Sequence, residues 1–277
     1  MDADGPPTAV TFYGGFRSFE LNLHRNIEEL LGEVKGPIHF YILTEYCNDY
    51  ERKKQRIIDI IQSYKYEIKY FEHVGESVHY NADEEAAFYK DYYAIPYNGV
   101  RNDFTPKLFY RRCLINKIMN GFGIAYKKVV CARLFDMIIK RFRSLDFINN
   151  PDDETLYFSV DTILIGKMET LNKFFDMKKI SDLIKIPAGK EGAFREFYDR
   201  SDKCLAGFMP KLASETIYQS ILFNNFLHTS INLRYDFTRY TTELWPNSRK
   251  KDAGEIIALA AKYVKEDYLF VLLDPNR

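Results

Sequence analysis

Apolar and polar residues alternate in blocks along the first half of the chain, and the blocks change period. Residues 9–13 (AVTFY) form a short apolar run that stops at Gly14-Gly15, the pattern of a buried strand entering a tight turn. Ser18 then offers an N-cap, and Leu23, Ile27, Leu30 and Leu31 recur at helical spacing. Gly32 and Gly36-Pro37 close that helix, and Ile38 to Leu43 (IHFYIL) reads as a second buried strand. The segment ERKKQRIIDIIQSY places Ile57, Ile61 and Tyr64 on one helical face, and YEIKYFEHV (66–74) supplies a third strand. An order of strand, helix, strand, helix, strand predicts a parallel sheet with right-handed crossovers. Its ligand crevice lies at the carboxyl ends of the strands.

Residues 75–105 break the regularity. They are rich in Tyr, Asp, Glu and Asn and read as a long irregular lid or binding loop. From Pro106 to Asn120 a helix is expected, with Leu108, Ile115 and Met119 inward and Lys107, Arg111, Arg112 and Lys117 on the other side. Gly121 and Gly123 end it, and KKVVCARLF (127–135) is the strongest interior strand, with Asp136 just beyond. Two further β-like runs, LYFSV and TILIG, flank Asp161 and precede the helix METLNKFFDMKK, where Met168, Leu171 and Phe175 align. The remainder mixes helices near 190–200, 213–228 and 252–265 with the strands NLRYDFTRY and YLFVLL. With no repeat and no linker, the chain reads as one domain. Residues 8–140 form its first half, and 141–277 an elaborated second half.

Composition removes several function classes. Lys+Arg and Asp+Glu both number 39, so the net charge is zero, which argues against nucleic acid as a partner. No run approaches the roughly 18 apolar residues of a membrane span, and MDADGPPTAV lacks the apolar region of a secretory signal. Cys47, Cys113, Cys131 and Cys204 have no paired spacing, so reduced thiols and a cytoplasmic location are expected. There is no GxSxG elbow and no GxxxxGK(S/T) loop. Gly121-Phe122-Gly123 lacks the third glycine of a dinucleotide fingerprint and ends a helix instead of opening one. The five histidines never fall at i, i+4, so a metal here would be held mainly by oxygen, which suits Mg²⁺ or Mn²⁺.

Several residues carry candidate chemistry, each with a structural alternative. Gly14-Gly15-Phe16-Arg17-Ser18 joins the first strand to the first helix. It either presents backbone N–H groups and a guanidinium to a phosphate, or is a plain turn with a solvated arginine. Asp136, with Arg133, emerges at the end of the interior strand, where a carboxylate can bind the metal that bridges a diphosphate. Asp136 is equally well placed to cap the helix DMIIKRFRSL. Asp161 is either a general base or substrate-binding group, or the end of a strand. Glu215 is either a first-turn helix residue or a wall of an acceptor site. The basic side at Lys107, Arg111, Arg112 and Lys117 is a solvated face or a clamp on a departing diphosphate. Aromatics reach 16%, a composition that serves either a stacked core or a sugar- or base-binding cleft.

Three stretches together resemble a group of viral and bacterial glycosyltransferases. TFYGGFRSFELNLHRNIEELL followed by IHFYILTEY is similar to their opening, with its Gly-x-x-Arg-Ser/Thr-Phe turn. YKKVVCARLFDMII resembles their interior strand with its Arg-x-Asp or Asp-x-Asp element, here one residue longer as Arg133-Leu134-Phe135-Asp136. YFSVDTILIGKMETLNKFF resembles their Ser-Asp-x-x-x-x-Gly segment. The resemblance implies a GT-A-like, Rossmann-type α/β fold, a mostly parallel central sheet flanked by helices. It further implies a hexosyl- or pentosyltransferase that takes a UDP- or GDP-sugar to a hydroxyl of a glycan or glycoprotein. On it, Gly14, Gly15, Arg17 and Thr44 lie near the nucleotide, with Arg111 and Arg133 on the donor. Asp136 holds Mn²⁺ or Mg²⁺, and Asp161 or Glu215 serves the acceptor. Two rival readings are a nucleotidyltransferase and a non-catalytic carbohydrate-binding protein on the same fold.

Overall fold

The computed structural model describes residues 5–16, 19–94, 104–133, 155–159, 163–175 and 230–232. The elements are β1 (Thr8–Gly14), α1 (Phe19–Leu31), β2 (Ile38–Thr44), α2 (Tyr50–Ser63), β3 (Glu67–His73), α3 (Ala82–Tyr93) and α4 (Phe104–Gly121). They continue with β4 (Lys128–Ala132), β5 (Leu156–Ser159), β6 (Ile163–Gly166), α5 (Met168–Phe175) and β7 (Ser230–Asn232). The strands form one sheet in the order β3-β2-β1-β4-β6-β5-β7. β3, β2, β1 and β4 run parallel, β6 alone opposes its neighbours, and β5 and β7 pair in parallel. The expected α/β fold with a mostly parallel sheet flanked by helices is therefore observed.

Side-chain alternation along the strands builds two cores. Val10, Phe12, Phe40 and Ile42 project to one face and meet Leu23 and Ile27 of α1 and Ile57 and Ile61 of α2. Ala9, Tyr13, Tyr41 and Leu43 project to the other face, against Phe109 and Ile115 of α4 and Leu171 and Phe174 of α5. Because both faces are covered, β2 is buried at all seven positions, which is why it reads as a continuous apolar run.

One expectation about the middle of the chain is corrected and one alternative is removed. The irregular segment contains α3, which Asn81 caps by accepting from the backbone N–H groups of Asp83 and Glu84; Asp83, Glu84 and Glu85 then favour its first turn. Only Glu85 and Tyr92 of this helix are buried, so it lacks the apolar stripe that periodicity detects. Of the two readings of the polar side of α4, the solvated face is the one the structure excludes. Arg111, Arg112 and Asn116 are buried, Lys107 is half-buried, and only Lys117 of the four basic residues is exposed. Leu108, expected inward, is half-buried. α4 lies against β1 and β2 on one side and α3 and α5 on others. A helix enclosed this way buries polar groups and must pair them.

Candidate functional site

The sheet order reverses at β1. The chain passes from β1 out to β2 and β3, then returns to place β4 on the other side of β1. Such a switch point leaves a crevice beyond the carboxyl ends of the two central strands. The parallel register pairs Thr11 with Cys131, and continuing it brings Arg133 level with Tyr13. Gly15 and Arg133 thus leave the sheet side by side. The antiparallel hairpin of β5 and β6 adds a third exit at this edge. Ala132 and Ser159 both pair with Ile163 at this edge.

The glycine turn is fixed by its own phenylalanine. Phe16 is 3% exposed, with its ring 5.5 Å from Tyr50 and 6.5 Å from Phe71. Its carbonyl accepts from the Phe19 N–H at 3.0 Å, which starts α1. Gly14 has a steric reason to be glycine, since a Cβ there would lie 2.9 Å from Phe12 Cζ.

On the β2 side the site joins Thr44 to three residues that the sequence did not single out, Tyr46, Tyr50 and His73. Thr44 is fully buried, and Tyr50 and His73 lie beside it at the ends of β2 and β3. The Thr44 hydroxyl, the Tyr50 hydroxyl and His73 Nδ1 are buried without a hydrogen-bond partner. Burial pushes the Tyr50 phenol up to about 12, opposed by the nearby Thr44 hydroxyl. The two hydroxyls are neighbours that do not reach hydrogen-bond geometry. His73 instead turns Nε2 to Glu76 at 3.1 Å. Over this group lies Tyr46, 69% exposed, stacked on Tyr50 at 6.0 Å and edge-on to His73 at 5.2 Å. An exposed ring above three unsatisfied polar atoms is the composition of a site for a flat, polar ligand.

On the α4 side the strand ends are braced by charge. Arg111 donates through Nε to Glu85 at 2.9 Å, through Nη2 to Glu85 at 3.2 Å, and through Nη1 to the Tyr13 hydroxyl at 3.0 Å and to Glu45. Tyr13 itself donates to Glu45, Lys107 lies 3.0 Å from the same carboxylate, and Tyr80 donates to Glu85. Burial opposes the charge on Arg111, but Glu85, Tyr13 and Glu45 outweigh it and raise its pKa. Burial likewise works against ionised Glu45, yet the bonds from Tyr13 and Lys107 and the charge of Arg111 hold its pKa below the usual value. Four of the five guanidinium donors are occupied, so Arg111 is a structural tie between β1, β2 and α3 with one N–H to spare.

The remaining sequence candidates divide as follows. Gly14, Gly15, Thr44, Arg111 and Arg133 meet at this edge, with Arg133 half-buried just after β4. Arg17, Asp136, Asp161 and Glu215 lie outside the described residues. Among the described residues no three His, Cys, Asp or Glu side chains are grouped to hold a metal ion. Glu45 and Glu85 are committed to arginine, lysine and tyrosine, so these carboxylates do not fit Mn²⁺ or Mg²⁺. Also among them, Cys47, Cys113 and Cys131 are free, and no helix is long and apolar enough to cross a membrane.

No protein-family model and no curated protein matches the chain. Several solved structures are similar at low identity. Mouse xyloside xylosyltransferase 1, in its apo form, is 10% identical over 82% of this chain and 85% of that one, with a TM-score of 0.45. An active-site mutant of LgtC is 11% identical over 77% of this chain and 69% of that one, at 0.40. The galactosyltransferase LgtC with donor and acceptor sugar analogs is 11% identical over 77% and 70%, at 0.38. At this level of likeness nothing passes from those proteins to this chain.

Proposed function

We propose that this protein is a glycosyltransferase that moves a hexose or pentose from a UDP- or GDP-sugar to a hydroxyl of a glycan or glycoprotein. The observation that carries the proposal is the switch-point crevice itself. The glycine turn leaves β1, Arg133 leaves β4 beside it, and an exposed tyrosine covers buried, unpartnered polar groups next door. The sequence resemblance to glycosyltransferases gives the crevice its chemistry.

In this reading Tyr46 stacks on the base, and Thr44, Tyr50 and His73 supply hydrogen bonds to the nucleoside. The N–H groups after Gly14 and Gly15, together with Arg17 and Arg133, face the diphosphate, whose charge grows as the glycosidic bond to the donor breaks. Arg111 keeps Tyr13 and Glu45 in place below it. Asp136 is the proposed carboxylate for Mn²⁺ or Mg²⁺; the metal rests on that residue, because Glu45 and Glu85 are already paired. Asp161 or Glu215 takes the proton of the acceptor hydroxyl if the anomeric centre inverts.

Thermal shift with nucleotides tests the proposal. UDP or GDP should stabilise the protein, UTP and GTP should not, and a matching nucleotide-sugar should be hydrolysed slowly in the presence of Mn²⁺. Stabilisation by triphosphates alone would point to a nucleotidyltransferase. Glycan binding without any nucleotide response would leave a carbohydrate-binding protein.

A further inference from the structure

A groove of about 780 Å³ lies between α3, α4 and α5, on the stretch of α4 from Tyr110 to Asn120. Arg111 marks the carboxyl edge of the sheet. Asn120 lies nine residues farther along the helix, about 13 Å away toward the opposite edge. The groove thus starts beside Arg111 and runs away from the crevice toward the opposite edge of the sheet, sharing no lining residue with the crevice described above.

Its lining combines amides with rings. Asn116 and Asn120 both donate to Asn172 Oδ1, at 3.0 and 2.8 Å, and Asn172 donates back to Asn120 at 3.2 Å. Asn116 is 5% exposed, and its Oδ1 has no hydrogen-bond partner. Each amide also has bonding capacity left after these contacts. Phe88 and Tyr110 stand 5.8 Å apart in the lining, which Phe175 joins. The charges at the groove balance, Glu84 and Asp91 against Lys117 and Lys173.

We infer that this groove binds an uncharged oligosaccharide. Sugar hydroxyls both donate and accept, which matches clustered amides, and the apolar face of a pyranose packs on aromatic rings. A phosphate or polyanion would call for excess positive charge, which the groove lacks. Its volume falls in the range that holds a small ligand. As a consequence that rests on the proposed transferase activity, the groove would hold a distant part of an acceptor glycan while the reacting hydroxyl sits at the strand ends.

The test is an array of neutral and acidic glycans probed with the full chain and with Ala87→Trp, whose exposed position lets the indole fill the groove without disturbing a core. Asn120→Leu, at a half-buried position, is a second route to the same loss. The expected result is retention of neutral glycans by the wild type, weakened about tenfold or more by either variant. The UDP or GDP shift should stay unchanged in both, and the melting temperature in Ala87→Trp; Asn120→Leu loses its bonds with Asn172 and should melt lower. Retention of acidic glycans only, no glycan binding, or binding that survives both variants would overturn the inference. If nucleotides fail to bind while neutral glycans still fill the groove, the transferase reading fails and this one stands.

Discussion

Replacing Arg111 by methionine keeps much of the side chain's volume and removes its charge, leaving Glu85 buried without its main partner. Both side chains are 9% exposed, and their two bonds measure 2.9 and 3.2 Å. Breaking a buried pair by removing one partner costs about 3–5 kcal/mol. Tyr80 still donates to Glu85, which softens the loss. Glu45 adds little, because it is 36% exposed and keeps Lys107 at 3.0 Å. We therefore expect Arg111→Met to cost about 2–4 kcal/mol in urea unfolding. Adding Glu85→Gln should recover part of this, with a coupling of at least about 1 kcal/mol in the double-mutant cycle. Arg111→Lys should fall between, since a lysine cannot reproduce the forked contact. Nucleotide affinity should fall in step with stability across the series. A loss below about 0.5 kcal/mol, or affinity lost at full stability, would refute the tie and make Arg111 a direct ligand of the diphosphate.

Tyr46→Ala should weaken UDP or GDP binding by about 1–3 kcal/mol with no change in melting temperature, read by calorimetry; an unaltered dissociation constant removes the ring from the site. Arg17→Ala should cost about 1.5–3 kcal/mol of nucleotide affinity, and Asp136→Ala should abolish metal-stimulated donor hydrolysis while the far-ultraviolet spectrum stays native. Lys128 is 2% exposed, and burial, helped by Lys127, lowers its pKa to about 8. Its folded pKa lies below the unfolded one, so between about pH 8 and 10 the unfolded chain binds more protons and this residue's contribution rises with pH. The wild type should accordingly gain about 2 kcal/mol relative to Lys128→Met between about pH 7 and 9.5 in parallel urea titrations; a relative loss would show the sign to be wrong. Gly14→Ala should cost about 1–3 kcal/mol by forcing Phe12 aside, and wild-type stability would show that the ring moves freely.

Much of the sheet was legible because buried parallel strands leave unbroken apolar runs. IHFYIL and KKVVCARLF are read directly as β2 and β4, and the order of elements then fixes the crevice at their ends. α3 was not legible, since its sequence has strong capping but almost no apolar stripe. The role of Arg111 was hidden for a different reason. A basic residue on a helix signals a charge but not its partners, and Glu45 and Glu85 come from elements that only the fold brings together. Tyr46, Tyr50 and His73 were lost among many tyrosines and histidines of equal appearance. Their signal was position, just after β2 and at the end of β3, and the buried atoms without partners are visible only in three dimensions.

Photolabelling reads the location of the nucleotide most directly. Azido-UDP and azido-GDP, activated on the intact protein and mapped by mass spectrometry, should mark peptides that contain Gly14 to Arg17 or Tyr46 to Tyr50, and excess unlabelled nucleotide should abolish the label. Protected labelling confined to the α3–α4–α5 groove, or to peptides remote from the ends of β1 and β2, would contradict the assignment of the crevice.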